Sequence, residues 1–151
     1  MEIPMKRLSC ALGASLALLV LSFILAQPSV QAGKGRVVTR GKTHRCVGVN
    51  DCAYRCKGKG CSFVSVGTGN LNVKCPAGSC KVSSTGSGNT NVGCAGGNCR
   101  VTNTGTGTTK VYCKGKGCKV ACTGTGSCQL FHCKGRACSL TCTGTATCKR
   151  K

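Results

Sequence analysis

Acidic side chains are almost missing from this sequence: Glu2 and Asp51 stand against 22 Lys and Arg. Without paired carboxylates, acid–base catalysis of the usual two-carboxylate kind has no residues to use. A calcium-binding roll needs a carboxylate in every repeat and is excluded on the same ground. Tryptophan is absent and large apolar side chains are few. A thick hydrophobic core is therefore ruled out, and covalent staples have to replace it. His44 and His132 lie far apart, and neither forms a zinc-type spacing with cysteine. Cys133 follows His132, but its place in the repeat marks it as a staple rather than a nucleophile. His132 is expected on an outward strand position. No phosphate loop of Walker type occurs, because the glycines fall at repeat turns.

Residues 1–32 read as a secretory signal. Lys6 and Arg7 precede an apolar stretch from Leu8 to Ala26, and Val30-Gln31-Ala32 offers a small-residue cleavage pattern before Gly33. The apolar stretch is long for a signal, so an uncleaved anchor is the alternative. Setting aside Lys6, Arg7 and Glu2 leaves 20 basic residues and one acid, a formal charge of +19. Setting aside Cys10 leaves 16 of the 17 cysteines. An even number in an exported chain points to a disulfide framework, and to a secreted, periplasmic or cell-surface protein.

What is present is a repeat. Residues 33–45 read as a basic flexible arm, and Cys46 to Arg55 as a partial unit. Five units then begin at Cys56, Cys75, Cys94, Cys113 and Cys133, in steps of 19, 19, 19 and 20 residues. The sixth position of each is again Cys: Cys61, Cys80, Cys99, Cys118 and Cys138. The eighth is apolar: Phe63, Val82, Val101, Val120 and Leu140. A Gly-Thr/Ser-Gly turn follows, and Val73, Val92 and Val111 close the unit, with Leu130 or Phe131 in that role in the longer one.

Every second residue from Cys80 reads Cys80, Val82, Ser84, Gly86, Gly88, Thr90, Val92, Cys94. A period of two means extended chain with these residues on one face. Folding at the glycines sets Val82 against Val92 and Ser84 against Thr90. The expected fold is all-β: a narrow two-sided β-solenoid of either hand, with about five 19-residue coils over residues 46–151, spaced by about 4.8 Å.

The repeat also suggests the pairing of the cysteines. Joining neighbours in order gives Cys46–Cys52, Cys56–Cys61, Cys75–Cys80, Cys94–Cys99, Cys113–Cys118, Cys122–Cys128, Cys133–Cys138 and Cys142–Cys148. Cys122 and Cys128 occur together, as do Cys142 and Cys148. Units lacking one lack both, with Ser84 and Thr90, Asn103 and Thr109, or Ser65 and Leu71 instead. Joint gain and loss is the mark of partners facing across a coil, where a bridge needs Cα atoms about 4.4–6.8 Å apart. Metal binding is the competing reading, but Cys-x4-Cys and Cys-x5-Cys are poor zinc spacings. No metal or cofactor is expected.

The segments Cys94-Ala-Gly-Gly-Asn-Cys99 and Cys113-Lys-Gly-Lys-Gly-Cys118 resemble the Cys-x-Gly-x-x-Cys turns of midge antifreeze solenoids. Gly86-Ser-Gly-Asn-Thr-Asn-Val92 resembles repeats of exported bacterial proteins. These resemblances imply a thin, disulfide-bearing β-solenoid. The repeat length, and the lack of a regular Tyr column, depart from the midge pattern, so ice binding does not carry over with the motif.

The basic residues give the functional expectation. Lys57, Lys59, Lys114, Lys116, Lys134 and Arg136 sit in the Cys-x4-Cys turns, with Lys81, Arg100 and Lys119 just beyond. Stacked like charges cost energy. An anionic partner is one reason to keep them, and a solvated edge that resists aggregation is the other. The expected function is non-catalytic binding of anionic polymers or surfaces, with a protective or antimicrobial effect. The candidate partners are glycan, teichoic acid, non-specifically bound nucleic acid and, by peripheral membrane contact, lipid head groups. Base stacking is a poor expectation when Tyr54, Phe63, Tyr112 and Phe131 are the only aromatics after the signal. Threonines at the other end, Thr85, Thr104, Thr123 and Thr143 in one column and Thr68, Thr106, Thr125 and Thr145 in another, make a structural or ice-binding surface the alternative. Several of these lie in a turn, where a flat array is not expected.

Overall fold

A computed structural model describes residues 36–39 and 43–151. The expected signal, 1–32, lies outside the described residues. The described residues wind as a parallel β-solenoid in which each coil contributes one strand to each of two sheets. In chain order the strands are β1 (Arg36–Thr39), β2 (Thr43–Gly48), β3 (Cys52–Lys57), β4 (Ser62–Gly67), β5 (Leu71–Cys75), β6 (Lys81–Gly86), β7 (Thr90–Cys94), β8 (Arg100–Asn103), β9 (Thr109–Cys113), β10 (Lys119–Gly124), β11 (Ser127–Phe131), β12 (Ser139–Gly144) and β13 (Thr147–Arg150). The odd strands form a seven-stranded sheet and the even strands a six-stranded one. Register follows the repeat: Val82 pairs with Phe63 and Val101, and Val92 with Val73 and Val111.

The winding begins earlier than the repeat suggests. β1, and the first half of β2 up to Arg45, lie in the segment expected to be a flexible arm, yet β1 pairs with β3 and β2 pairs with β4 along its whole length. Val38 is buried there. This stretch lacks the Cys-x4-Cys signature, so its strands are recognisable only through their partners. Near this end Tyr54 packs between His44 and Phe63, with ring centroids 5.9 and 5.3 Å away, and donates its hydroxyl to the Arg45 carbonyl at 2.9 Å. Burial raises the Tyr54 pKa, and the nearby Arg36 charge partly opposes the shift.

All eight expected disulfides are present, with Cα separations between 5.9 and 6.4 Å. Five close the Cys-x4-Cys turn and stack along one edge of the solenoid. The sulfurs of Cys75, Cys80 and Cys99 come within 4.8 Å of one another, as do those of Cys113, Cys118 and Cys133. Each of these atoms is already bonded to its own partner, so the groups are stacked staples and not thiolate sites. Three further bridges cross the other end of the coil, Cys46–Cys52, Cys122–Cys128 and Cys142–Cys148. The coils between them place Ser65, Ser84, Thr90, Asn103 and Thr109 in the equivalent buried positions.

The opposite turn depends on glycine for closeness. A Cβ on Gly88 would collide with the carbonyl of Gly69 in the coil before, and a Cβ on Gly107 with that of Gly88. Gly86 also carries a φ of 136°, which L side chains avoid. Beside it runs a side-chain ladder that the periodicity did not reveal. Asp51 Oδ1 accepts the Asn70 backbone N–H at 2.8 Å, Asn70 Oδ1 accepts that of Asn89 at 3.0 Å, and Asn89 Oδ1 that of Thr108 at 3.0 Å.

Leu130, not Phe131, fills the core in the 20-residue unit. The extra residue is absorbed at His132, which is exposed and follows β11 with φ 59°. His132 therefore points outward, but from a bend and not from a strand.

Two stability predictions follow from the bridge pattern and the glycine contacts. Ser84→Cys combined with Thr90→Cys should form a ninth bridge, replace the buried and unpartnered Thr90 hydroxyl, and add about 2 kcal/mol. Peptide mapping and denaturant titration check it, and two free thiols at these positions would contradict the facing geometry. Gly88→Ala should cost about 1–3 kcal/mol through overpacking, although its φ is not strained. A neutral result in thermal unfolding would show that the coils are looser than described.

Candidate anion-binding surface

The structure divides the nine expected cations into two groups. Lys57, Lys59, Lys114, Lys116, Lys134 and Arg136 are exposed in the Cys-x4-Cys turns. Lys81, Arg100 and Lys119 lie instead on the outer face of the six-stranded sheet, in direct register across β6, β8 and β10. Strand spacing puts their backbones about 4.8 Å apart. Each follows the second cysteine of its turn, so the ladder starts at the stapled edge, and at Lys119 it continues the turn cations Lys114 and Lys116. The turns at Cys75–Cys80 and Cys94–Cys99 carry no charge, so the turn cations form two clusters and not one continuous row.

The sheet ladder edges a shallow depression of about 330 Å³. Its lining includes Thr43, Ser62 and Ser83 as well as Lys81 and Arg100. Short hydroxyl side chains at Thr43 and Ser62 continue the ladder's column and leave the two cations room to reach over it. Asp51 is the one acidic side chain among the described residues, and its carboxylate is held by Asn70 through both the backbone and the side-chain amide. No described Lys or Arg therefore has a carboxylate side chain for a partner.

Periodicity alone did not single out Arg55, Lys74, Lys110 and Lys149. All four point outward from the seven-stranded sheet, where Arg55 pairs with Lys74. Arg55 and Lys74 each precede the first cysteine of a turn, a position that could have revealed them. The stapled edge is thus flanked by cations on both sheets.

The threonines form the two expected columns, the first of them on the six-stranded sheet. Thr85, Thr123 and Thr143 lie on strands of the six-stranded sheet, and Thr104 directly follows β8. Thr85 and Thr104 hydroxyls are 3.2 Å apart, and Thr143 donates to Thr123 at 3.0 Å. A second rank, Ser83, Thr102, Ala121 and Thr141, runs beside them on the same face. Thr68, Thr106 and Thr125 remain exposed at the glycine turn, as expected.

Registered like charges should destabilise the sheet. Lys81→Gln, Arg100→Gln and Lys119→Gln together should raise stability at low ionic strength by roughly 0.2–1 kcal/mol per neighbouring pair. The gain should vanish near 1 M salt, where screening acts over about 3 Å. Thermal melts at the two salt concentrations measure this, and an unchanged melt at low salt would mean the side chains splay apart. No protein family, curated protein or solved structure matches this chain.

Proposed function

We propose that this is a non-catalytic, exported protein that binds anionic polymers along its axis, through the Lys81–Arg100–Lys119 ladder and the flanking turn cations. The observation that carries this reading is the registered ladder itself, three cations on adjacent strands with no carboxylate side chain to neutralise them. A row of charges repeating at strand spacing suits a linear ligand better than a compact one. The sixteen cysteines beyond residue 32 are held in bridges, and Asp51 is the one acidic side chain among the described residues, so no thiolate nucleophile and no carboxylate pair is found among them. Eight bridges fit an oxidising, extracellular-type compartment. A protective or antimicrobial effect would follow from coating an anionic surface.

Retention on heparin should fall steeply with salt. The Lys81→Gln, Arg100→Gln, Lys119→Gln variant should lower the slope of log affinity against log salt by roughly one per charge removed. Salt-gradient chromatography gives the measurement, and an unaltered slope would remove the ladder from the function.

The double rank of Ser and Thr on the same sheet favours a second reading, in which the hydroxyl and methyl array orders surface water. Thr104→Tyr and Thr123→Tyr would abolish ice-crystal shaping under this reading and leave heparin retention unchanged.

A further inference from the structure

Tyr112 and Phe131 are 19 residues apart in sequence and adjacent in space. Their rings stack on the outer face of the seven-stranded sheet, with centroids 4.8 Å apart and planes within 11°. That separation is one strand spacing, so the rings follow the solenoid axis. Phe131 covers one face of Tyr112. The next position along the column is Gly93, which has no side chain, and beyond it come Lys74 and Arg55. The result is a depression of about 290 Å³ bounded by Tyr112, Lys74, Arg55 and Lys114, with Pro76 and Ala95 at its edge. Two strand spacings, about 10 Å, separate the Tyr112 and Lys74 backbones, with one side-chain layer missing between them.

We infer that this slot takes an unpaired base of a single-stranded nucleic acid. The base would continue the Phe131–Tyr112 stack over Gly93, and its phosphates would meet Arg55, Lys74 and Lys114. The chemistry of the lining favours a base over a sugar ring. Among the lining side chains only the Tyr112 hydroxyl can accept a hydrogen bond. A sugar's hydroxyls would be left short of acceptors, whereas the face of a base needs only the aromatic surface and the apolar edge. A base stacked inside a duplex cannot enter, so the slot selects single strands. This inference rests on the polyanion reading and adds to it a stacking element outside the cation ladder.

Gly93 supplies an unusually clean test. A Cβ there would meet only the Val73 carbonyl oxygen, at 3.9 Å, and its φ is not in the left-handed region. Gly93→Leu should therefore fill the slot and leave the fold intact, and Tyr112→Leu should remove the aromatic face while keeping apolar bulk. The probes are a fluorescent oligothymidylate, its duplex with oligoadenylate, and a heparin oligosaccharide, titrated at constant salt. Circular dichroism and disulfide mapping verify folding of each variant. Each variant should weaken oligothymidylate binding roughly tenfold and leave duplex and heparin binding unchanged. Equal loss for all three probes, or no loss for oligothymidylate, overturns the slot while the polyanion reading stands. Loss confined to heparin assigns the slot to a glycan and also overturns it. If the parent protein binds none of the probes at low salt, both readings fall together.

Discussion

From Cys56 onward each winding of this protein is closed by a sulfur–sulfur bond across its Cys-x4-Cys turn, and everything else depends on that closure. The two sheets face each other across little more than one layer of Val, Leu and Phe. Such a layer supplies limited apolar burial per residue. Short disulfide loops act mainly on the unfolded chain by removing conformations it would otherwise explore. The distribution of the remaining bridges fits this view. Cys46–Cys52 staples the first coil that carries a strand in both sheets, and Cys122–Cys128 and Cys142–Cys148 staple the last two. Interior coils have a neighbour on both sides and make do with Ser, Thr, Asn and Leu71 at the same positions. Ends of a stacked array lose half their neighbours and usually require caps, and here the caps are covalent.

Covalent closure also accounts for the tolerance of charge. A protein held mainly by burial would be penalised by a formal charge of +20. In this one, the repulsion between Lys81, Arg100 and Lys119 falls on strands whose ends are tied to the stapled edge one residue away. The cations gather beside the bridges, on both sheets, where the backbone is least free to yield. The glycine turn opposite, where the coils come into close backbone contact, carries the Thr column and the Asp51–Asn70–Asn89 ladder and no Lys or Arg.

Much of this architecture was legible in the sequence, because a period of two and a period of 19 are both simple consequences of geometry. The Val columns, the Ser84–Thr90 opposition and the eight bridges could be read from alternation and from the joint occurrence of cysteines. The strand residues before Cys46 could not, since Arg36–Thr39 and Thr43–Arg45 lack the Cys-x4-Cys signature and are recognisable only through their pairing with later strands. His132 was misplaced because a one-residue insertion leaves open where the extra residue is absorbed. The two threonine columns were legible, but the edge of the strand within them was not, because the boundary between strand and turn is set by which carbonyl each N–H reaches. Thr104 illustrates this, with its N–H still donating to Ser84 across the sheet at 2.9 Å. The candidate site was half visible: its cations were named, but the division into a registered ladder and separate turn clusters required the register.

The repeat makes the outer faces behave as columns of side chains, so a single residue type has consequences along the axis. Where a column keeps one chemistry it becomes a ladder, as with the cations or the threonines. Where it changes, it makes an edge. The column Arg55, Lys74, Gly93, Tyr112, Phe131 changes twice, from cation to nothing to aromatic. Identical neighbours would have left a smooth face with no place to hold a ligand by shape. Departure from the repeat on an otherwise regular sheet therefore creates local recognition, while adherence to it creates a long, undifferentiated field. On the proposed reading, the regular cation column would attract a polymer without choosing among them, and selectivity would have to come from positions such as Gly93 where the pattern breaks.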